Sequence, residues 1–199
     1  GLDGQDVGNA LLVTFDDGLA EQADAVFRLH ALGIPSICFV STAPIVDKSL
    51  LGVHRIHLLR SMKCDADISH DFEKYFGKKF TDLNIEKARK QYRYDDDAAR
   101  RVKFFLNFVL EESEREAWTK RAFAHYCGDE KVAAEELYMN IDTIKTLSEL
   151  GSLGSHGHNH RPLASLTLDQ QKMDLSRARQ ILEDYVGPTE LGLAYPYGG

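Results

Sequence analysis

Two groups of residues have the types and spacing of a reactive centre. Ser155-His156-Gly157-His158-Asn159-His160 places three histidines within five positions. Neutral imidazoles are common ligands for zinc and other first-row metals. His156 and His160 are the pair read as ligands, whereas strand-like alternation turns His158 away from them, toward a supporting role or the surface. Asp16-Asp17-Gly18 sets two carboxylates directly after an apolar run. One of them can complete a two-histidine, one-carboxylate site, and the other can stay free as a base. A metal with three protein ligands and an open position acidifies bound water and suits hydrolysis. Standing alone, Asp-Asp-Gly reads as a turn that caps the next helix; beside the histidine pair, the chemical reading outweighs that one. A third polar group is Ala194-Tyr195-Pro196-Tyr197-Gly198.

Each group follows a segment with the character of a strand. Ala10–Phe15 is short, apolar and rich in strand formers, and it stops at Asp16. From Ala20 to Leu32, Ala23, Val26, Phe27 and Ala31 recur at helical period, and Gly33 signals the stop. Ile37–Val40 forms the next strand, so the chain opens as strand, helix, strand, which requires parallel pairing. The same rhythm returns at Asn140, an expected N-cap for a helix over Ile141–Leu150 that stops at Gly151. Leu153–Ser155 is a short strand leading into the histidines. Thr167 and Gln170 have capping-box spacing, and the helix they open ends at Gly187-Pro188 before a last strand, Leu191–Ala194. In α/β barrels the reacting residues sit at the C-terminal ends of strands, so the three groups can share one mouth.

Residues 52–138 break the rhythm. They are charged, aromatic and helical in pattern, with Val102, Phe105, Leu106 and Val109 on one face and Trp118, Phe123 and Tyr126 marking another. Asp95-Asp96-Asp97 reads as a solvated helix start favoured by the helix dipole. His54 and His57, three apart, share a helical face; packing and exposure are preferred there over a lid on the mouth. The expected organisation is residues 1–51 and 139–199 in one α/β part, with 52–138 as a helical insertion.

The three groups together resemble the polysaccharide deacetylases, the NodB-homology or carbohydrate esterase family 4. Thr14-Phe15-Asp16-Asp17-Gly18 is similar to the family's first motif. Ser155–His160, followed by Pro162 and Leu163, is similar to the second, and Leu193-Ala194-Tyr195-Pro196-Tyr197-Gly198 to a third motif of the Ala-Tyr-Pro-Tyr branch. Leu32–Val40 also resembles the family's second-strand region. The resemblance implies a distorted (β/α) barrel and a divalent metal, usually zinc. It implies Asp17, His156 and His160 as metal ligands and Asp16 as the general base. The backbone N–H of Tyr197 is then an oxyanion donor, and Tyr195, Pro196 and Leu163 line the substrate. The implied reaction is hydrolysis of an N-acetyl group on an amino sugar of a polysaccharide or a glycan precursor, for instance in cell-surface glycan synthesis.

Three departures follow. Ala194 stands where the family usually carries an arginine that orients the base. The later motifs, including the histidine that serves as general acid, are not among these residues. Without 52–138 the chain supplies roughly half a barrel, whose open sheet edge is a liability; further residues or a second copy of the chain would cover it. A metal-containing carbohydrate-binding relative without catalysis, and a hydrolase of a different amide, are the alternatives.

Composition narrows the rest. The 199 residues carry 31 acidic and 24 basic side chains, a net charge of −7, which opposes a phosphate backbone, and there is no basic stripe for nucleic acid. No run approaches the roughly 18 apolar residues of a membrane-spanning helix. Cys38, Cys64 and Cys127 form no C-x-x-C and are expected as two buried thiols and one incidental one. Unpaired thiols, and the lack of a basic-then-apolar leader, lean toward the cytoplasm.

Overall fold

The structure is a computed structural model that describes residues 10–198. These fall into two compact units, one formed by the residues up to Leu51 together with those from Lys131 onward, the other by Gly52–Glu130.

The first unit is built on a four-stranded sheet of strands β1 (Val13–Phe15), β2 (Ser36–Val40), β3 (Leu153–Ser155) and β4 (Gly192–Leu193). They lie side by side in sequence order, and every neighbouring pair is parallel. The register pairs Val13 with Ser36, Cys38 with Leu153 and Ser155 with Leu193. Parallel strands need crossovers; the short helices α2 (Ala43–Asp47) and α9 (Glu130–Leu137) lie between β2 and β3, and the helices α1 (Ala20–Ala31), α10 (Ile141–Glu149) and α11 (Leu168–Val186) belong to the crossovers as well. Their apolar residues Ala23, Val26, Ile144, Leu147 and Leu182 pack with Cys38, Val40 and Leu153 in one core. All three helices thus cover the sheet face that carries Cys38 and Val40. The fold is mixed α/β with a parallel sheet; among the described residues the sheet is open, with β1 and β4 at its edges.

Local chemistry explains the element ends. The Asn140 side chain accepts from Thr143 N at 2.9 Å and starts α10. Thr167 and Gln170 form the reciprocal capping pair at α11, with Gln170 N donating to Thr167 Oγ1 at 3.3 Å and Thr167 N to Gln170 Oε1 at 3.0 Å. The last strand is shorter than its sequence pattern: only Gly192 and Leu193 pair, with Gly154 and Ser155 of β3. Along α11 the buried stripe is Asp174, Ala178 and Leu182, while Met173 is exposed.

The second unit is helical throughout: α3 (Gly52–Met62), α4 (Asp65–Phe76), α5 (Lys78–Thr81), α6 (Ile85–Gln91), α7 (Asp97–Phe104), a π-helical turn (Phe105–Val109) and α8 (Glu112–Tyr126). Its core centres on the fully buried Phe72, whose ring lies 4.4 Å from Trp118, 5.0 Å from Phe105 and 5.2 Å from Phe80, centroid to centroid. Tilted and edge-on contacts of this kind add to the gain from apolar burial. Arg55 is buried too, its guanidinium paired with Glu130 at 2.6 Å and Glu116 at 2.9 Å. The acidic run starts a helix as expected, Asp96 capping α7 by accepting from Ala99 N at 2.8 Å. His54 is buried and His57 exposed, so the two do not share one environment. Residues 131–138, read with the insertion from sequence, lie in the first unit, where Tyr138 Oη accepts from Leu51 N at 3.0 Å. No helix among the described residues is long and apolar enough to cross a membrane.

Of the three thiols only Cys38 is buried; Cys127 is half-buried and Cys64 exposed, so the expected second buried thiol is absent. The Cys38 pKa is pushed up to about 12, first by burial and then by the negative charge of Asp16. Thiolate is the reactive form. Iodoacetamide at pH 8 is therefore expected to modify Cys64 readily and Cys38 only after unfolding, as read by peptide mass spectrometry. Equal labelling of the two in the native chain would contradict this packing.

Candidate metal centre

Parallel pairing brings the C-terminal ends of all four strands to one end of the sheet. Asp16 and Asp17 follow β1, Ser41 and Thr42 follow β2, His156–His160 follow β3, and Ala194–Tyr197 follow β4. The turn after β1 is tight. Asp17 and Gly18 both have φ +77°, and a Cβ at Gly18 would lie 2.2 Å from Val40 Cγ1, so only glycine fits there. Gln22 in α1 clamps this turn: its Nε2 donates to the Asp16 carbonyl at 2.8 Å, and its Oε1 accepts from Leu19 N at 3.0 Å. Met139 N donates to the Gly18 carbonyl at 3.0 Å, holding the turn from the far side.

The histidine segment is held to β2 and β4. His156 N donates to the Val40 carbonyl at 2.9 Å, and Ala194 N to the Ser155 carbonyl at 3.1 Å. The His156 ring Nδ1 lies 2.9 Å from the Ala194 carbonyl oxygen. A carbonyl can only accept, so Nδ1 carries the proton and Nε2 keeps its lone pair, the usual arrangement of a metal-ligating histidine. Burial holds the His156 pKa below its ordinary value, against the opposing pull of the Ala194 carbonyl and, more weakly, of Asp16 and Asp17. The ring is therefore neutral near pH 7, the form that binds metals.

Three ligand atoms meet. Asp17 Oδ1 is 3.0 Å from His160 Nε2 and 3.5 Å from His156 Nε2, and the donor atoms of all three residues lie within 4.8 Å of one another. Ligands about 2.0–2.1 Å from a tetrahedral zinc stand about 3.3 Å apart. The two spacings bracket that value, and two imidazoles with one carboxylate form a fitting donor set for a divalent ion such as zinc.

Strain marks the same residues. Four non-glycine residues among those described have left-handed φ, and three of them are Asp17 (+77°), His160 (+53°) and Tyr197 (+63°). Such conformations cost about 1–3 kcal/mol each and gather at sites where geometry matters more than stability.

The other sequence-proposed residues are distributed as follows. Asp16 is exposed just beyond β1. Tyr197 packs its ring edge-on against His160, centroids 4.9 Å apart. Tyr195 is exposed, Pro196 buried beside it, and Leu163 buried in a short 3₁₀ turn, Leu163–Ser165. His158 is buried and belongs to a separate contact, its Nδ1 2.9 Å from Thr42 Oγ1. Two supporting residues escaped sequence reasoning. Gln22 could have been found from its place three residues after Leu19, at the N3 position that favours glutamine. Asp174 could have been found as the one acid in the i, i+4, i+8 stripe it shares with Ala178 and Leu182.

No curated protein and no solved structure matches this chain. Residues 118–199 match the polysaccharide deacetylase family. That span contains the second and third motifs; the first, Thr14–Gly18, lies outside it. The match covers less than half of the chain, and over residues 118–199 the chain is similar to the polysaccharide deacetylases.

Proposed function

We propose that the chain is a metal-dependent hydrolase that removes N-acetyl groups from an amino sugar in a polysaccharide or glycan precursor. The observation that carries this reading is the approach of His156 Nε2 and His160 Nε2 to Asp17 Oδ1 beyond the ends of parallel strands. The family match supports the carbohydrate amide as substrate.

Asp17, His156 and His160 would hold the ion, for which the donor set favours zinc. When bound, it supplies Lewis acidity, which lowers the pKa of water and polarises a carbonyl oxygen. The protein's own groups supply the rest. Asp16 accepts a proton from the attacking water, and its exposed place at the end of β1 leaves it open to solvent. The backbone N–H of Tyr197 donates to the oxygen that becomes negative in the tetrahedral intermediate, an interaction strongest in the transition state. Of the three residues expected to line the substrate, Pro196 and Leu163 are buried, and Tyr195, 57% exposed, offers the aromatic surface that suits the apolar face of a pyranose. The C–O bond forms first, giving the tetrahedral intermediate; the acetyl C–N bond then breaks as the nitrogen takes up a proton, releasing acetate and leaving the amine on the sugar.

Asp16 and Asp17 should then fail differently. Asp17→Ala removes one of three protein ligands, and bound zinc measured by elemental analysis should be lost. Asp16→Asn keeps the shape and the ion but removes the proton acceptor. Acetate release from N-acetylglucosamine oligomers should fall by about 10²–10⁴-fold while zinc stays bound. Loss of zinc from Asp16→Asn with retention in Asp17→Ala would reverse the assignment. A wild-type chain that binds zinc and sugar but releases no acetate, with Asp16→Asn altering affinity alone, would establish the binding-module alternative instead.

A further inference from the structure

The loop between β3 and His160 is gripped from two sides. On the side of β2, its carbonyls are taken up one after another. Ser41 Oγ donates to the His156 carbonyl at 3.2 Å, Thr42 N to that of Gly157 at 3.2 Å, and Ala43 N to that of His158 at 3.0 Å. On the other side stands one carboxylate, Asp174 of α11, which is 7% exposed. Its Oδ2 accepts from His158 N at 2.8 Å, and its Oδ1 accepts from Asn159 N at 3.2 Å and Asn159 Nδ2 at 3.0 Å. The loop and the carboxylate are also in close contact at Gly157. With φ +76° there, a Cβ would come 2.8 Å from Asp174 Oδ2. Gly157 thus answers to two demands, a left-handed backbone and the space the carboxylate occupies.

A buried carboxylate that receives three N–H groups is a strong, directional anchor. The two main-chain amides it holds belong to the residues between His156 and His160. It touches neither candidate ligand, yet it fixes the span that sets their separation. From this we infer that Asp174 is a positioning residue: it preorganises the loop so that His156 and His160 present Nε2 to a shared ion before that ion arrives. This inference rests on the metal-centre reading above and adds to it a residue from a different element, eighteen positions beyond His156 and outside the three motifs. Groups of this kind, one step removed from the ligands, typically govern metal affinity by 10–100-fold.

The test uses the full chain and zinc alone, with the dissociation constant read by competition against a chromophoric chelator. Asp174→Asn keeps the size but offers one acceptor oxygen instead of two and turns an amide N–H₂ toward the loop's donors. Zinc should bind 10–100-fold more weakly than to wild type. Leu182→Ala is the control: it opens a cavity under the same helix, 0% exposed, without touching the loop. It should lower thermal stability and leave zinc affinity within about twofold of wild type. Asp174→Asn binding zinc as tightly as wild type, or Leu182→Ala losing as much affinity, would overturn the inference. Hydrogen exchange on the unaltered, zinc-free chain covers the case in which Asp174→Asn does not fold. The His158 and Asn159 amides should exchange slowly there, and free exchange of both would equally overturn preorganisation. Failure of wild type to bind zinc at all would instead count against the metal-centre reading itself.

Discussion

Neighbouring strands that run parallel all deliver their C-terminal ends to the same side, and most of what this chain can do chemically descends from that constraint. Asp17 lies 139 residues before His156 in sequence, yet β1, β2 and β3 lie side by side with a register that pairs Phe15 with Cys38 and Cys38 with Leu153. The helical unit Gly52–Glu130 enters and leaves the chain between β2 and β3 without interrupting their pairing. Had any of these strands run antiparallel, its terminal residues would stand at the opposite end of the sheet. No local chemistry would then restore the convergence of the two imidazoles on one carboxylate.

Within that frame the site is held mainly through backbone groups. The Ala194 carbonyl sets the His156 tautomer, Gln22 holds the Asp16 carbonyl, and residues 41–43 take up the carbonyls of the histidine loop. This gives Ala194 a role independent of its side chain. Its carbonyl, not its side chain, is what the His156 ring meets. The left-handed conformations at Asp17, His160 and Tyr197 fit the same picture: hydrogen bonds and the sheet hold the backbone where sterics would not put it.

What could be read from sequence follows from where each signal resides. Asp17, His156 and His160 were legible because ligand chemistry is carried by side-chain type, and type and spacing are what a sequence displays. The parallel order was legible because strand and helix periods alternate on either side of the helical stretch. Gln22 and Asp174 carry weaker signals, a capping position and a place in a buried stripe, and neither signal names the main-chain groups that each residue holds. Along α11 hydrophobicity alone does not mark the buried face: Met173 is exposed, while the buried stripe passes through Asp174, whose carboxylate accepts from the histidine loop. The length of β4 was overestimated because apolar character at Leu191 does not reveal which residues pair; only Gly192 and Leu193 do.

Zinc-edge X-ray absorption on the zinc-loaded full chain tests the central claim most directly, because it reads the ligand set without reference to turnover. Two imidazoles at about 2.0–2.1 Å with the remaining ligands oxygen is the expected first shell for Asp17, His156 and His160. A shell with fewer than two imidazoles, or with sulfur at about 2.3 Å, would place the ion elsewhere and contradict the account.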